Sequence, residues 1–189
     1  MNRRDALSRV ALILGGTIVG ANIFLEGCKP ADKEVSGLAF TQNDIAYLDE
    51  IGETILPATS TPGAKATMIG QFMTVMVTDC YTKKDQEIFH EGMNKLNKAS
   101  EKKFDNDFMK LDPKQRHDLL VELDKEQSDY TAKKKGDDAP HYFRLMKELT
   151  LLGYFTSEIG ATQALRYVET PGSYNGCIPY KKGDKAWAL

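Results

Sequence analysis

From Ala66 to Tyr81 the chain carries Met68, Ile69, Phe72, Met73, Val75, Met76, Val77 and Cys80, with Gln71, Thr74, Thr78 and Asp79 as the polar interruptions after Met68. A helix with this distribution has little surface to spare for water, so it predicts a segment buried on most sides. The rest of the chain must then supply amphipathic helices to surround it. The methionines fall at helical spacing and are read as core packing rather than as a binding surface.

The flanking segments have the required pattern. Thr41 can N-cap a helix with Asp44 at its third position, and Phe40 and Ile45 occupy the places of a hydrophobic staple. Ile45, Leu48, Ile51 and Ile55 then form one stripe, leaving Asp49, Glu50 and Glu53 towards water, until Pro57 ends the helix. Thr61-Pro62-Gly63 reads as a turn whose glycine takes a positive φ. Thr82 and Asp85 open a third helix with Ile88, Phe89, Met93 and Leu96 inward; the charged stretch Lys98–Lys110 either continues it or makes a separate turn. Asp112-Pro113 with Gln115 starts another, with Leu119, Leu120 and Leu123 inward and fraying expected near Ser128. A solvated loop from Lys133 to Asp138 follows, and Pro140 opens a helix carrying Tyr142, Phe143, Leu145, Met146, Leu149 and Leu152 up to Gly153. Thr156 or Ser157 caps a short last helix through Ala161 and Leu165. The fold class is all-α: a single compact bundle of about six helices with a long irregular C-terminal arm. That arm, beyond Tyr167, keeps no helical period yet is rich in glycine and large aromatics, which describes an ordered strap better than a disordered end.

Ahead of the bundle, residues 1–27 read as a signal peptide and 28–39 as a polar tether, leaving 40–189 as the domain. Arg3, Arg4 and Arg9 precede an apolar run from Val10 to Leu25, and Leu25-Glu26-Gly27-Cys28 resembles the lipobox of bacterial lipoproteins, in which the cysteine is lipidated. The Arg3-Arg4 pair resembles a twin-arginine leader, although Ala6 stands where an aromatic is usual; a Sec signal is the alternative. These features place the chain in a bacterial cell envelope, lipid-anchored and facing the periplasm. With Cys28 lipidated, Cys80 and Cys177 are left either as one disulfide or as two unrelated thiols. A net charge of −2, with lysines alternating with acids, gives no reason to expect a nucleic-acid partner.

The residues of the domain offer no self-sufficient active site. His90, His117 and His141 fit no zinc-helix or haem-attachment spacing, and CxxC, P-loop and nucleophile-elbow motifs are absent from the sequence. Asp118, Glu122 and Glu126, four apart, read as a solvated acidic face. Glu158 and Arg166 stand alone in an uncharged stretch, which suggests a structural ion pair fixing the strap. No catalytic, cofactor-binding or metal site is expected in this chain.

Several motifs occur in a telling order: Thr61-Pro62-Gly63-Ala64, Asp79-Cys80-Tyr81-Thr82, Gly153-Tyr154-Phe155-Thr156-Ser157-Glu158, Gly160-Ala161-Thr162-Gln163, Arg166-Tyr167, Gly176-Cys177-Ile178-Pro179-Tyr180 and Lys182-Gly183-Asp184-Lys185-Ala186-Trp187. Together they resemble the gluconate 2-dehydrogenase subunit 3 family, over about Phe40 to Leu189. The resemblance implies a non-catalytic small subunit of a membrane-bound, flavin-dependent sugar or alcohol dehydrogenase. FAD would reside in a large partner of the glucose–methanol–choline flavoprotein type, and a c-type cytochrome often takes the electrons. The small subunit would support export, stability and membrane anchoring of that partner. A free-standing, lipid-anchored binding or scaffold protein is the other reading these residues allow. Tyr154, Phe155, Glu158, Arg166, Tyr174, Tyr180 and Trp187 are the candidates for contact, either with a partner or with the chain's own core.

Overall fold

The computed structural model describes residues 39–136, 138–170, 172–173 and 175–188. Arg3, Arg4, Cys28 and Tyr174 therefore lie outside the described residues.

Five α-helices carry the body: α1 Gln42–Ile55, α2 Ile69–Cys80, α3 Lys83–Phe104, α4 Pro113–Lys133 and α5 Tyr142–Thr156. Four of them begin on a side chain that accepts a hydrogen bond from their own first turn: Thr41 with Asp44, Thr82 with Asp85, Asp112 with Gln115, and His141 with Phe143. Thr41–Asp44 and Asp112–Gln115 are full capping boxes, so these starts were legible from residue type and spacing.

The fifth start is different. α2 begins on Met68, whose φ of 53° puts a bulky residue in the left-handed region and whose side chain caps nothing. Its cap comes from another helix: Asp49 Oδ1 on α1 accepts the Gly70 N–H at 2.7 Å. A carboxylate at this end also meets the positive pole of α2. Gly70 is required here, because a Cβ would lie 2.3 Å from the Ile45 carbonyl oxygen of α1. The two helices thus touch backbone to backbone.

The dense apolar stretch is not the centre of the bundle. Ile69, Gly70, Met73, Thr74 and Val77 of α2 are buried, but Val75, Thr78 and Asp79 face solvent. The central element is α5, which packs against all four other helices. Its buried set, Tyr142, Phe143, Leu145, Met146, Leu149, Thr150, Gly153 and Tyr154, covers about half of its circumference. The hydroxyl of buried Thr150 donates to the Met146 carbonyl at 2.8 Å, which removes the penalty of its polarity.

Smaller departures have local causes. α3 stops at Asp105, in the left-handed region with φ 56°, and a 3₁₀ turn Phe108–Lys110 then turns Phe108 fully into the core. α4 runs past Ser128 to Lys133, and the Tyr130 hydroxyl beyond that point ties it to the Ala139 carbonyl at 2.9 Å. The short last helix is a π-helical turn, Gly160–Ala164. In the arm, β1 (Arg166–Tyr167) pairs in parallel with β2 (Trp187–Ala188), with Arg166 opposite Trp187. No described residue after Ala164 joins the hydrophobic core.

The trans cap makes a simple prediction. Asp49→Ala should lower stability by about 1 kcal/mol, the usual worth of an N-cap side chain. Asp49→Asn, which keeps the acceptor oxygen, should lose clearly less. Equal losses in thermal melts of the two variants would rule out the cap.

Candidate functional site

One end of the bundle gathers most of the distinctive residues. There the loop between α1 and α2 folds back over α1, and the acidic residues expected to face water hold it instead. Glu53 accepts the Ala58 N–H through Oε1 and the Lys65 N–H through Oε2, both at 2.9 Å. Gly63 passes this carboxylate so closely that a Cβ would lie 2.2 Å from Oε1. Its φ is −79°, so the glycine is needed for this approach and not for the positive φ that the turn signature suggested. The loop is also fastened from the opposite end of the chain: Tyr154 Oη on α5 donates to the Pro62 carbonyl at 2.7 Å. Two of the motifs quoted above, around Pro62 and around Tyr154, therefore meet in space.

Glu50, the third acid of α1, joins three elements. Its carboxylate pairs with Lys65 at 2.9 Å and with the Arg116 guanidinium of α4. Arg116 also donates to the carbonyls of Phe108 and Met109, at 3.2 and 2.8 Å, and so fixes the 3₁₀ turn. Burial pushes the Glu50 carboxyl up, but the hydrogen bond from Lys65 and the charge of Arg116 outweigh it and hold the group below its ordinary value. The residue is charged and structural.

Beside this end, α2 and α5 run antiparallel. Ile69 and Phe72, at the start of α2, lie against Gly153 near the end of α5, whereas Tyr81, just after α2, shares a cleft with Leu145 and Glu148. A Cβ on Gly153 would lie 2.5 Å from both Ile69 and Phe72, so this glycine sets the closeness of the two helices. Both helices also carry exposed apolar side chains: Met68 (66 %) and Val75 (51 %) at and on α2, and Leu151 (37 %), Leu152 (46 %) and Phe155 (38 %) on α5, where Leu151 and Phe155 stand two residues from Gly153 and so face away from α2. Phe72 and Met76 of α2 are half-buried and pack against the core. The remaining exposed large apolar side chains of the helices, Met109, Val121 and Tyr130, lie on other elements.

The contact candidates separate accordingly. Tyr154 is buried and holds the loop; Phe155, its neighbour in sequence, is turned out, with the two rings 5.1 Å apart and edge-on. Glu158 and Arg166 do not pair with each other. Both are exposed, and Arg166 instead lies over the Trp187 ring, 4.6 Å from its centroid. Such a cation–π contact at an exposed site is worth roughly 0.5–1 kcal/mol. Tyr180 and Trp187 are exposed. Cys80 and Cys177, left open as a disulfide, are free and exposed; the Cys80 thiol lies 3.9 Å from the Met76 sulfur.

The sequence places Met68 and Val75 in a segment buried on most sides, with its methionines as core packing; Met73 is buried, but Met68 and Val75 are exposed, as are Leu151 and Leu152 of α5. A signal existed, because the four consecutive residues Leu149–Leu152 sweep the whole circumference of a helix and cannot all face inward.

No group of three His, Cys, Asp or Glu among the described residues could hold a metal ion. Asp118, Glu122 and Glu126 form an exposed face; Glu122 meets Lys103 at 2.6 Å, and Glu126 lies 3.7 Å from His141 Nε2. His90 stacks on Phe40 with centroids 4.1 Å apart, and His117 lies on the surface beside Asp118. The cleft where α1, α4 and α5 meet has about 170 Å³, lined by Ile55, Leu120, Val121 and Phe143 with a paired Asp124 and Lys147 at its rim.

A family model described as gluconate 2-dehydrogenase subunit 3 matches residues 42–172. The chain belongs to that family. The match spans α1 to the start of the arm, so it includes the clamped loop and the contact of α2 with α5. It ends before the Gly176–Tyr180 and Lys182–Trp187 motifs, although the sequence resemblance extends over them. No curated protein and no solved structure matches the chain.

Two outcomes follow from this geometry. Tyr154→Phe removes the bond to Pro62 while keeping the ring, and should cost about 1 kcal/mol in chemical denaturation. An unchanged midpoint would remove Tyr154 from the clamp. The second concerns His141, whose Nδ1 accepts the Phe143 N–H at 3.3 Å. Burial lowers its affinity for protons below the ordinary value of 6.5, against the opposing pull of Glu126. The unfolded chain then takes up the proton first, so this contribution is whole above 6.5 and is lost as pH falls below it. His141→Asn keeps a capping acceptor without titrating. It should flatten the fall in melting temperature between about pH 7.5 and 5.5. A slope unchanged by the substitution would assign the fall to other groups.

Proposed function

We propose that this chain is a non-catalytic accessory subunit of a membrane-bound, flavin-dependent dehydrogenase, and that it supports the export, stability and anchoring of a large FAD-bearing subunit. The family match over residues 42–172 carries this reading. The leader supports the remainder. A lipidated Cys28 would hold the complex at the membrane, and the several acyl chains of a bacterial lipoprotein supply the multiple anchors that firm attachment needs. Arg3 and Arg4 suit the twin-arginine route, which carries folded proteins. A flavoprotein that receives FAD in the cytoplasm needs such a route, and a bound subunit can provide the leader. A glucose–methanol–choline type flavoprotein is the expected partner, with a c-type cytochrome as electron acceptor. The substrate would be chosen by the flavoprotein.

The chain should co-purify from detergent-solubilised membranes with an FAD-containing subunit and dye-linked dehydrogenase activity. Produced alone it should be colourless and inactive. Cys28→Ser should move the flavoprotein from the membrane to the soluble fraction without abolishing its activity. A yellow, active chain purified alone would overturn the accessory role, and a flavoprotein that stays at the membrane after Cys28→Ser would overturn the anchor.

A further inference from the structure

We propose that the arm from Arg166 onward is a second membrane contact, which seats its loop of exposed aromatic and lysine side chains on a lipid surface carrying anionic headgroups. This rests on the lipid-anchored reading of the chain and adds the part of the fold that meets the bilayer. β1 and β2 close the arm into a loop, with the Arg166 and Val168 N–H groups donating to the Ala186 and Ala188 carbonyls at 2.8 and 3.0 Å. The loop stands off the helical body. No described residue after Ala164 joins the core, and a Cβ on Gly183 would meet no atom within 4 Å. Its large side chains are in water instead: Tyr180 is 78 % exposed, Trp187 51 % and Ile178 47 %.

The charges narrow the occupant. Residues 166–189 carry Arg166, Lys181, Lys182 and Lys185 against Glu169 and Asp184, whereas residues 40–165 carry 16 lysines and arginines against 21 aspartates and glutamates. Arm and body therefore have opposite signs, so an anionic surface attracts the first and repels the second. Asp184 is turned to the loop itself, its Oδ2 accepting the Lys181 N–H at 2.9 Å. Lys181 and Lys182 make no ion pair among the described residues, in contrast to Lys65, Lys103 and Lys147 of the body, which meet acids.

The local backbone brings the two kinds of side chain together. The Asp184 N–H donates to the Lys181 carbonyl at 3.0 Å and Gly183 has a φ of 95°, so Lys181–Asp184 is a tight turn with Lys182 at its tip and Tyr180 at its foot. Lys185 and Trp187 follow the turn, and the Arg166 guanidinium lies over the Trp187 ring. Lysine is depleted at the centre of protein interfaces, whereas a headgroup layer takes lysine beside tyrosine and tryptophan, whose rings settle at that depth. A lipid surface fits both features of the loop.

The test uses the full-length chain purified from membranes and reconstituted in vesicles, with its single tryptophan as the probe. In vesicles of phosphatidylethanolamine and phosphatidylglycerol, Trp187 emission should move to shorter wavelength and be quenched by phospholipids brominated near the headgroup. High salt, or vesicles of phosphatidylcholine alone, should reverse both effects. Lys181→Glu combined with Lys182→Glu should weaken the seating by at least about 25-fold, taking about fivefold for each lysine at such a surface, with the melting temperature unchanged. A photoreactive benzoylphenylalanine in place of Tyr180 should cross-link to lipid, which decides the matter if the glutamate variant unfolds. An acylated, vesicle-bound chain whose Trp187 stays unquenched, with no lipid cross-link from position 180, would overturn the arm contact and leave the anchor standing. A chain that carries no acyl group, yet whose Trp187 is quenched in the anionic vesicles, would overturn the anchor and uphold the arm contact. A cross-link from position 180 in native membranes to the flavin-bearing chain, with none to lipid, would assign the arm to a protein partner and overturn the proposal.

Discussion

The bundle depends on the acidic side of α1. Asp49 caps α2, Glu53 takes two backbone N–H groups of the intervening loop, and Glu50 joins that loop to α4 through Lys65 and Arg116. These carboxylates do the work that a good local cap and a regular turn would otherwise do. The segment from Leu56 to Met68 carries little secondary structure of its own, and its backbone donors need partners. An acidic residue accepts two such donors at once, which a serine or threonine would not do as well. The left-handed Met68 is tolerable because α2 is already positioned by Asp49 and by the Gly70 backbone contact.

Helical period and capping chemistry carried the fold in the sequence, and they succeeded where the physics is local. Thr41-x-x-Asp44 and Asp112-Pro113-x-Gln115 meant in the structure what they mean in isolation. Judging which helix lies innermost failed, because apolar density measures what a segment can bury and not what its neighbours cover. α2 is the more apolar helix, but α5 has four partners and buries the wider arc. The side chains of Asp49, Glu50 and Glu53 were misread for the same reason. A carboxylate opposite the core stripe normally meets water, and only the return of the loop over α1 changes its surroundings.

Much less of the candidate site was legible. The motif around Tyr154 and Phe155 stood out, but sequence alone gives both aromatics the same standing. The structure divides them: one is an internal fastener, and the other belongs to a surface. Arg166 and Glu158 looked like a pair since each lacked a charged neighbour in sequence, whereas Arg166 found the ring of Trp187 across the whole arm. Contacts that span such distances along the chain leave no periodic trace. The family match, ending at 172, stops where the arm departs from the helical body.

The pairing of β1 with β2 has a consequence for how the molecule is completed. The Arg166 and Val168 N–H groups donate to the Ala186 and Ala188 carbonyls, so the two ends of the arm are joined to each other. The helices can collapse as the chain emerges, because every buried apolar residue among the described ones precedes Leu165. The arm closes only once Ala186 and Ala188 are present. A proteolytic cut between β1 and β2 would leave the helical body intact and the strap free to open. The strap is therefore a part of the molecule that can open while the helical core stays folded.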